Sequence, residues 1–181
     1  MFMELLEEIF EKDVGIQETP CENYELRRAA RAVLFNKEDL IAFVYVSKDE
    51  YHKLPGGGLK VNEGIHAGLA REVLEETGCF LGVVAQVGRI IEYKNAQAKL
   101  QKSYCFMAKT VAGSGKPHFT EKEQSKGFKL NWVSLDEAID LLENDFPTDY
   151  TGKFIVKRDL TFLRKAKEML SDNKTIDDLY K

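Results

Sequence analysis

Three glutamates near the middle of the chain have the spacing to act together. Glu72, Glu75 and Glu76 stand at positions i, i+3 and i+4, so on a helix their carboxylates project from one face within a single turn. Like charges this close repel each other unless a positive group sits among them. Arg71 is adjacent, but one cation cannot neutralise three carboxylates. A hard divalent cation can, and oxygen ligands suit Mg²⁺ or Mn²⁺ better than Zn²⁺.

A run of glycines lies just upstream, in Pro55-Gly56-Gly57-Gly58. Glycine backbone can approach a ligand closely and offer its carbonyl or N–H groups to a metal or a phosphate. Magnesium commonly bridges carboxylates to phosphate oxygens, and a metal-bound water deprotonated with help from a glutamate is a nucleophile. Together the two features predict a magnesium–phosphate site. Each alone has a simpler explanation, because exposed helix glutamates usually form a solvated face and a Pro-Gly-Gly-Gly run is often only a loop.

The segment from Gly57 to Cys79 resembles the signature box of the Nudix hydrolases. The box reads glycine, five residues, glutamate, seven residues, Arg-Glu-aliphatic, one residue, Glu-Glu, one residue, glycine and an aliphatic residue. Every specified position is filled here, with Cys79 an unusual choice for the last. The approach Leu54-Pro55-Gly56-Gly57-Gly58 and the later Trp132–Ala138 segment also look like this family. The resemblance spans about residues 28–145.

The resemblance implies a role for each residue of the box. Glu72, Glu75 and Glu76 would be metal ligands, with the carbonyl of Gly56 as a further ligand. The metal would be Mg²⁺, with Mn²⁺ as the alternative.

The remaining positions of the box would be supporting ones. Glu63 would be tied to Arg71, holding the loop against the helix and helping proton transfer, while Arg71 would orient the site. The alternative for Arg71 is a surface arginine with a local partner. Gly57 and Gly58 would form the phosphate loop.

Family members often place one more glutamate on the loop before the tryptophan-containing strand. Glu121 and Glu123 are the candidates, and we favour Glu123 as a metal ligand. The alternative is that both are solvent-exposed loop carboxylates.

The implied reaction is hydrolysis of a pyrophosphate bond in a nucleoside diphosphate linked to another moiety. The chain has no proline between Pro55 and Pro117, where ADP-ribose-type members carry one, and the coenzyme A and NADH signatures are also missing. We therefore expect a MutT-like enzyme that converts a nucleoside triphosphate, such as an oxidised purine nucleotide, to a monophosphate and pyrophosphate. The alternatives are a non-catalytic nucleotide-binding regulatory module and an RNA 5′-end pyrophosphohydrolase.

Candidates for base stacking are Phe35, Tyr45, Phe106, Phe119 and Trp132, although aromatic residues in apolar strands are more often core residues.

Hydrophobic patterning predicts a single α/β domain with mixed sheets over residues 1–181. The resemblance implies that this domain is a Nudix-type α/β/α sandwich. The core would cover about residues 24–146. It would be flanked by an N-terminal helical extension within residues 1–20, which would make a homodimer reasonable, and by a C-terminal helix at 153–172. Gly78 is placed to end the box helix, and Ser134 with Glu137 to start another. We expect strands at 28–36, 40–47, 81–94, 102–112 and 128–133, helices at 3–13, 64–77 and 135–144, and irregular chain at 55–58, 113–117 and 119–127.

Composition narrows the class of protein. The 181 residues are 44% hydrophobic and 31% charged, with a formal net charge of −4. This balance excludes a basic nucleic-acid coat and makes nucleic acid an unexpected partner. No apolar run approaches the roughly 18 residues of a membrane span. The acidic N-terminus and three cysteines without a close pair are typical of a cytoplasmic protein.

The basic residues of the C-terminal helix would form a solvated face, with substrate or partner binding as the alternative: Lys153, Lys157, Arg158, Arg164, Lys165 and Lys167.

Overall fold

The computed structural model describes residues 3–113, 115–171 and 175–180. Within them, strands and helices alternate along the chain. The strands are β1 (Leu5–Ile9), β2 (Glu25–Phe35), β3 (Ile41–Val46), β4 (Tyr51–Lys53), β5 (Gly56–Gly58), β6 (Cys79–Lys94), β7 (Lys99–Gly113) and β8 (Phe128–Val133). The helices are α1 (Ile65–Thr77), α2 (Glu121–Ser125), α3 (Leu135–Glu143) and α4 (Tyr150–Leu170), with 3-10 turns at Glu11–Val14, Asn95–Gln97 and Ile176–Tyr180.

The strands form one mixed sheet in the order β1-β6-β7-β2-β3-β4, with β5 added to β2 and β8 added to β3. The pairs β1–β6 and β2–β7 are parallel and the other pairs are antiparallel. Strand β2 pairs with β3 only at Phe35 and Ile41. Further toward its start, β2 pairs with the glycines of β5, opposite Ala29, Ala30 and Arg31. The sheet therefore splits along β2, which pairs with β3 at its end and with the glycine strand β5 nearer its start.

Helices cover both faces of the sheet, so the predicted α/β/α arrangement is confirmed. Leu69 and Val73 of α1 pack with Ala30 and Phe106 on one face. On the other face α3 and α4 bury a larger cluster that includes Phe43, Phe154, Phe162, Leu163 and Ala166. Strand β3 is covered on both faces, since five of its six residues are buried. No helix among the described residues combines the length and the apolar character needed to cross a bilayer.

Two predicted helix boundaries are confirmed by their capping groups. Gly78 ends α1 in the left-handed region at φ 69°, where its N–H donates to the carbonyl of Leu74. The hydroxyl of Ser134 accepts the N–H of Glu137 at 3.1 Å and starts α3. The C-terminal helix is also confirmed and begins slightly earlier than predicted, with Asp149 as its N-cap.

The predicted N-terminal helix is wrong. Leu5–Ile9 is a strand that pairs in parallel with β6, and only a single 3-10 turn follows it. A five-residue run is too short for periodicity to separate a helix from a strand. Hydrogen bonding to the distant strand β6 makes this segment a strand. The segment packs on its own sheet, so the helix that suggested a homodimer does not exist.

Two segments predicted to be irregular are ordered. Gly56–Gly58 pairs with β2 as strand β5. Glu121–Ser125 forms the short helix α2, and Thr120 caps it: its hydroxyl accepts the N–H of Glu123 at 3.3 Å, while the carboxylate of Glu123 accepts the N–H of Thr120 at 2.8 Å. This reciprocal pair is the capping box that the sequence Thr-x-x-Glu allows.

Candidate active site

The three box glutamates occupy different environments on α1. The buried stripe of this helix contains Gly68, Leu69, Val73, Glu76 and Thr77, and these positions recur at helical spacing. Glu76 therefore points into the protein and is only 2% exposed. The side chain of Glu72 is 14% exposed and that of Glu75 is 40% exposed. The three carboxylates of the predicted common face therefore differ in exposure, from the buried Glu76 to the more exposed Glu75.

Glu76 is held by a cation from the neighbouring strand β4. The ammonium of Lys53 lies 2.7 Å and 3.0 Å from the two carboxylate oxygens of Glu76 and donates to the carbonyl of Gly56 at 3.3 Å. The N–H of Gly56 donates to Glu76 Oε2 at 2.9 Å. Burial raises the pKa of Glu76, opposed by Lys53, and burial also lowers the pKa of Lys53. A positive charge thus sits between Glu76 and the Gly56 carbonyl, the two groups predicted to share a cation.

Arg71 joins the loop to the helix. Its Nε and Nη2 donate to the two oxygens of Glu63 at 2.9 Å and 2.8 Å, Nη2 also donates to the carbonyl of Gly58 at 3.1 Å, and Nη1 donates to Glu72 at 2.6 Å. The hydrogen bonds from Arg71 and from the Lys60 N–H lower the pKa of Glu63 to about 2. The hydrogen bonds to Glu63 and Glu72 raise the pKa of Arg71. A two-pronged Arg–carboxylate contact fixes orientation as well as charge. The Glu63–Arg71 pairing that the resemblance implied is therefore present.

The glycines of β5 are required by close packing. A Cβ at Gly57 would lie 2.0 Å from Oε2 of Glu72. Gly56 has φ +129°, and a Cβ there would lie 2.2 Å from the carbonyl oxygen of Ala30. No side chain fits at either position without displacing a box carboxylate or the neighbouring strand β2. Gly56 and Gly57 therefore bring the loop backbone directly against Glu76 and Glu72.

The donor set predicted for a metal ion consists only of oxygens. Glu72, Glu75 and Glu76 would contribute carboxylates and Gly56 a carbonyl, which suits a hard cation such as Mg²⁺. The space between Glu76 and Gly56 already holds the positive ammonium of Lys53, so its surroundings favour a cation. As they stand, no three acidic, histidine or cysteine side chains in the described residues are grouped closely enough to bind one ion together. Glu123 uses its carboxylate to cap α2.

A NUDIX domain model matches residues 25–152 of this chain. The chain belongs to the Nudix family. As a Nudix hydrolase it is a pyrophosphohydrolase. No curated protein matches the sequence.

Solved structures of other Nudix proteins share the fold. A Nudix hydrolase from Nitrosomonas europaea is 18% identical, with 74% of this chain and 87% of that chain covered and a TM-score of 0.56. A MutT protein from Methanosarcina mazei is 20% identical over 82% of this chain and 99% of that one, with a TM-score of 0.52. The Ap4A hydrolase of C. elegans is 16% identical over 81% and 99%, with a TM-score of 0.55. At these identities the likeness concerns the Nudix fold.

Lys53 is the main residue of the site that sequence reasoning missed. Lysines are ordinarily found at the protein surface, yet Lys53 is 5% exposed. One signal was available: Glu76 falls on the same helical stripe as Leu69 and Val73, and a carboxylate on a buried stripe needs a partner.

Two of the five base-stacking candidates are clearly core residues. Phe35 is 4% exposed and Phe106 is fully buried. Tyr45 lies against the ring of His52, and Phe119 lies edge-on to Phe128. Trp132 is partly buried against the cluster beneath α1.

Proposed function

We propose that this Nudix hydrolase is a Mg²⁺-dependent enzyme that cleaves a pyrophosphate bond in a nucleoside diphosphate linked to another group. The preferred substrate class is a nucleoside triphosphate, giving a monophosphate and pyrophosphate. The observation that carries the proposal is the Arg71 network, because one guanidinium connects Glu63, the Gly58 carbonyl and Glu72. Through this network Arg71 holds the glycine loop against α1, the helix that carries the box carboxylates.

In this proposal Glu72, Glu75, Glu76 and the Gly56 carbonyl hold the metal ion. Bound Mg²⁺ would supply positive charge for the phosphate oxygens and lower the pKa of an attacking water. Glu76 would exchange the ammonium of Lys53 for the metal as its cationic partner. Mn²⁺ offers the same chemistry with the same oxygen donors.

The protein's own groups would bind and orient the substrate. The backbone of Gly57 and Gly58 would approach a diphosphate closely, since no side chain intervenes. Arg71 would keep Glu72 in place and hold Gly58 through its carbonyl. Glu75 is the most exposed box carboxylate, with Oε1 3.9 Å from Arg71 Nη1, and so it would accept a proton from the attacking water. Glu123 would join the metal ligands only by leaving the cap of α2, which makes it the weakest member of the predicted set.

The test is a broad nucleotide panel assayed with Mg²⁺, with products identified by mass spectrometry. Hydrolysis in ¹⁸O-labelled water would show which phosphorus is attacked. We expect Glu76→Gln and Glu75→Gln to lose most activity. Glu137→Gln, on the exposed face of α3, is the matched control and should retain it.

Two results would contradict the proposal. One is full activity in both box variants when they are shown to be folded by circular dichroism. The other is tight nucleotide binding without turnover in saturating Mg²⁺ or Mn²⁺, which would instead support a regulatory binding module.

A further inference from the structure

A cluster of cations lies on the face of β2 that is turned away from α1. Side chains alternate along a strand, so Ala30 and Ala32 face α1 while Arg27 and Arg31 face α4. Between the sheet and α4 is a cavity of about 400 Å³. Its cationic lining consists of Arg27, Arg31, Lys94, Lys99, Lys122 and Arg158. Among the described residues that line this cationic cavity there is neither a carboxylate nor an aromatic ring.

Two buried arginines of the cationic cavity have unused donors. Arg31 is 5% exposed, and within the described residues its Nε and Nη1 have no hydrogen-bond partner. Arg158 is fully buried: its Nε donates to Asp159 at 2.7 Å and its Nη1 lies 3.7 Å from Glu92, but its Nη2 likewise has no partner there. Buried donors without partners are rare in folded proteins and require an explanation such as an absent ion. Here they line a cavity large enough for a ligand.

The charge in the cavity is only partly balanced. Burial lowers the pKa of Arg31 to about 10, and the like charge of Arg158 acts in the same direction. Glu92, behind the lining, contacts Lys94 at 2.9 Å. Glu92 is shared between Lys94 and Arg158, and Asp159, a second buried carboxylate, pairs with Nε of Arg158 at 2.7 Å. These two carboxylates face the six cations of the lining. An additional anion would therefore be attracted by the remaining cations.

The cationic cavity adjoins the glycine strand. Arg31 stands opposite Gly56 in the β2–β5 register. A Cβ at Gly58 would lie 2.7 Å from Nη2 of Arg27, so this guanidinium touches the strand directly. The negative charges of Glu76 and Glu72 also act on Arg31 and Arg27, raising their pKa values against the effect of burial. A substrate held at the glycine strand is thus within reach of the cavity.

We propose that the cationic cavity binds a phosphate group that the substrate carries in addition to the diphosphate that is hydrolysed. This inference rests on the proposed function for the identity of the substrate. Arginine donors match phosphate oxygens in pairs, and a phosphate also supplies the negative charge that a neutral base or sugar lacks. The substrate class narrows to compounds with at least three phosphates, such as a nucleoside triphosphate or a diphosphate ester bearing a sugar phosphate.

The first experiment measures binding without catalysis. Inorganic tripolyphosphate is titrated calorimetrically into the full chain in EDTA. We expect binding that weakens at least tenfold in Arg31→Gln and is unchanged in Arg164→Gln, the matched control, because Arg164 is an exposed α4 residue paired with Glu143. Lys99→Gln and Lys122→Gln alter the rim of the cavity and should also weaken binding, which keeps the test valid if Arg31→Gln fails to fold. Absence of binding, or equal binding by all folded variants, would overturn the proposal.

The second experiment compares substrate pairs that differ by one phosphate: nucleoside diphosphate and triphosphate, dephospho-coenzyme A and coenzyme A, and ADP-ribose with and without a 2′-phosphate. The member with the extra phosphate should have the lower KM, and Lys99→Gln should reduce this difference. Turnover of both members with equal KM, unaffected by the variants, would overturn the cavity's role and leave the hydrolase proposal standing. Arg31-dependent tripolyphosphate binding without any nucleotide hydrolysis would overturn the hydrolase proposal and confirm the cavity as a phosphate site.

Discussion

The ammonium of Lys53 lies 2.7 Å from Oε1 of Glu76, and the two side chains are only 6% and 3% exposed. The last carboxylate of the Nudix box is therefore neutralised by a lysine three residues before Gly56. A buried ion pair is costly to break on one side only, because the remaining charge has no water to solvate it. A metal ion bound by Glu76 would have to compete with Lys53 for this carboxylate.

Replacing Lys53 should show this competition. Lys53→Met leaves Glu76 buried without its cation, so we expect the free energy of unfolding in EDTA to fall by about 3–5 kcal/mol. Added Mg²⁺ should then raise the Tm of the variant more than that of the wild type, since a ligand that binds the native state stabilises it. Thermal unfolding with and without MgCl₂ measures both effects. An identical Mg²⁺-induced shift in the two proteins would contradict the competition.

Arg71 should not be replaceable by lysine. An ammonium keeps the charge but cannot reach both oxygens of Glu63, the Gly58 carbonyl and Glu72 together. We expect Arg71→Lys to lower kcat roughly 10- to 100-fold, as is typical for groups that orient metal ligands. Arg164→Lys is the control on an exposed helix face. Steady-state kinetics of the two variants should differ by at least tenfold, and similar values would exclude an orienting role for Arg71.

Glu63 should contribute to acid sensitivity. Its pKa is about 2 in the folded protein, below the ordinary 4.5, so its stabilising effect is fully present above about pH 4.5 and is lost as the pH falls toward 2. Glu63→Gln removes this titration, and the Tm of the variant should fall less steeply over that range. Thermal unfolding from pH 2 to pH 6 compares the slopes. Parallel curves for both proteins would show that the Arg71 contact does not contribute to folding stability.

Gly57 should be intolerant of even a methyl group. A Cβ there would meet Glu72 at 2.0 Å, whereas a Cβ at Gly64 would have nothing within 4 Å. Gly57→Ala should displace Glu72 and lower kcat on the order of 100-fold, because small displacements of catalytic groups are costly. Gly64→Ala should remain close to wild type. Kinetics of this matched pair tests whether the loop and Glu72 must stay in contact, and equal activities would refute it.

Local patterns in the sequence predicted the parts of the fold that depend on local chemistry. The ends of α1 and α3 follow from Gly78 and Ser134, and the alternation of strands and helices follows from hydrophobic periodicity. The strand Leu5–Ile9 could not be predicted in this way, because its partner is Arg89–Glu92, some eighty residues away. Nonlocal pairing overrides weak local preference in short segments.

For the candidate site, too, the sequence predicted some contacts and missed others. The resemblance to the Nudix box implied the pairing of Glu63 with Arg71, which lie eight residues apart along the chain. It could not predict Lys53, which reaches Glu76 from another strand, or Arg158, which was expected on a solvated helix face but is fully buried. The other basic residues of α4 mostly fit the expectation, as in the exposed pair of Arg164 with Glu143.

The first strand also covers one edge of β6. β1 occupies the edge of β6 at Arg89–Glu92, and its last residue, Ile9, is fully buried. Proteolytic loss of this strand would uncover the N–H and C=O groups of β6 together with an apolar surface, which is a template for pairing with another chain. Trimming the chain before residue 10 would therefore reduce solubility even though every residue of the Nudix box remained in place.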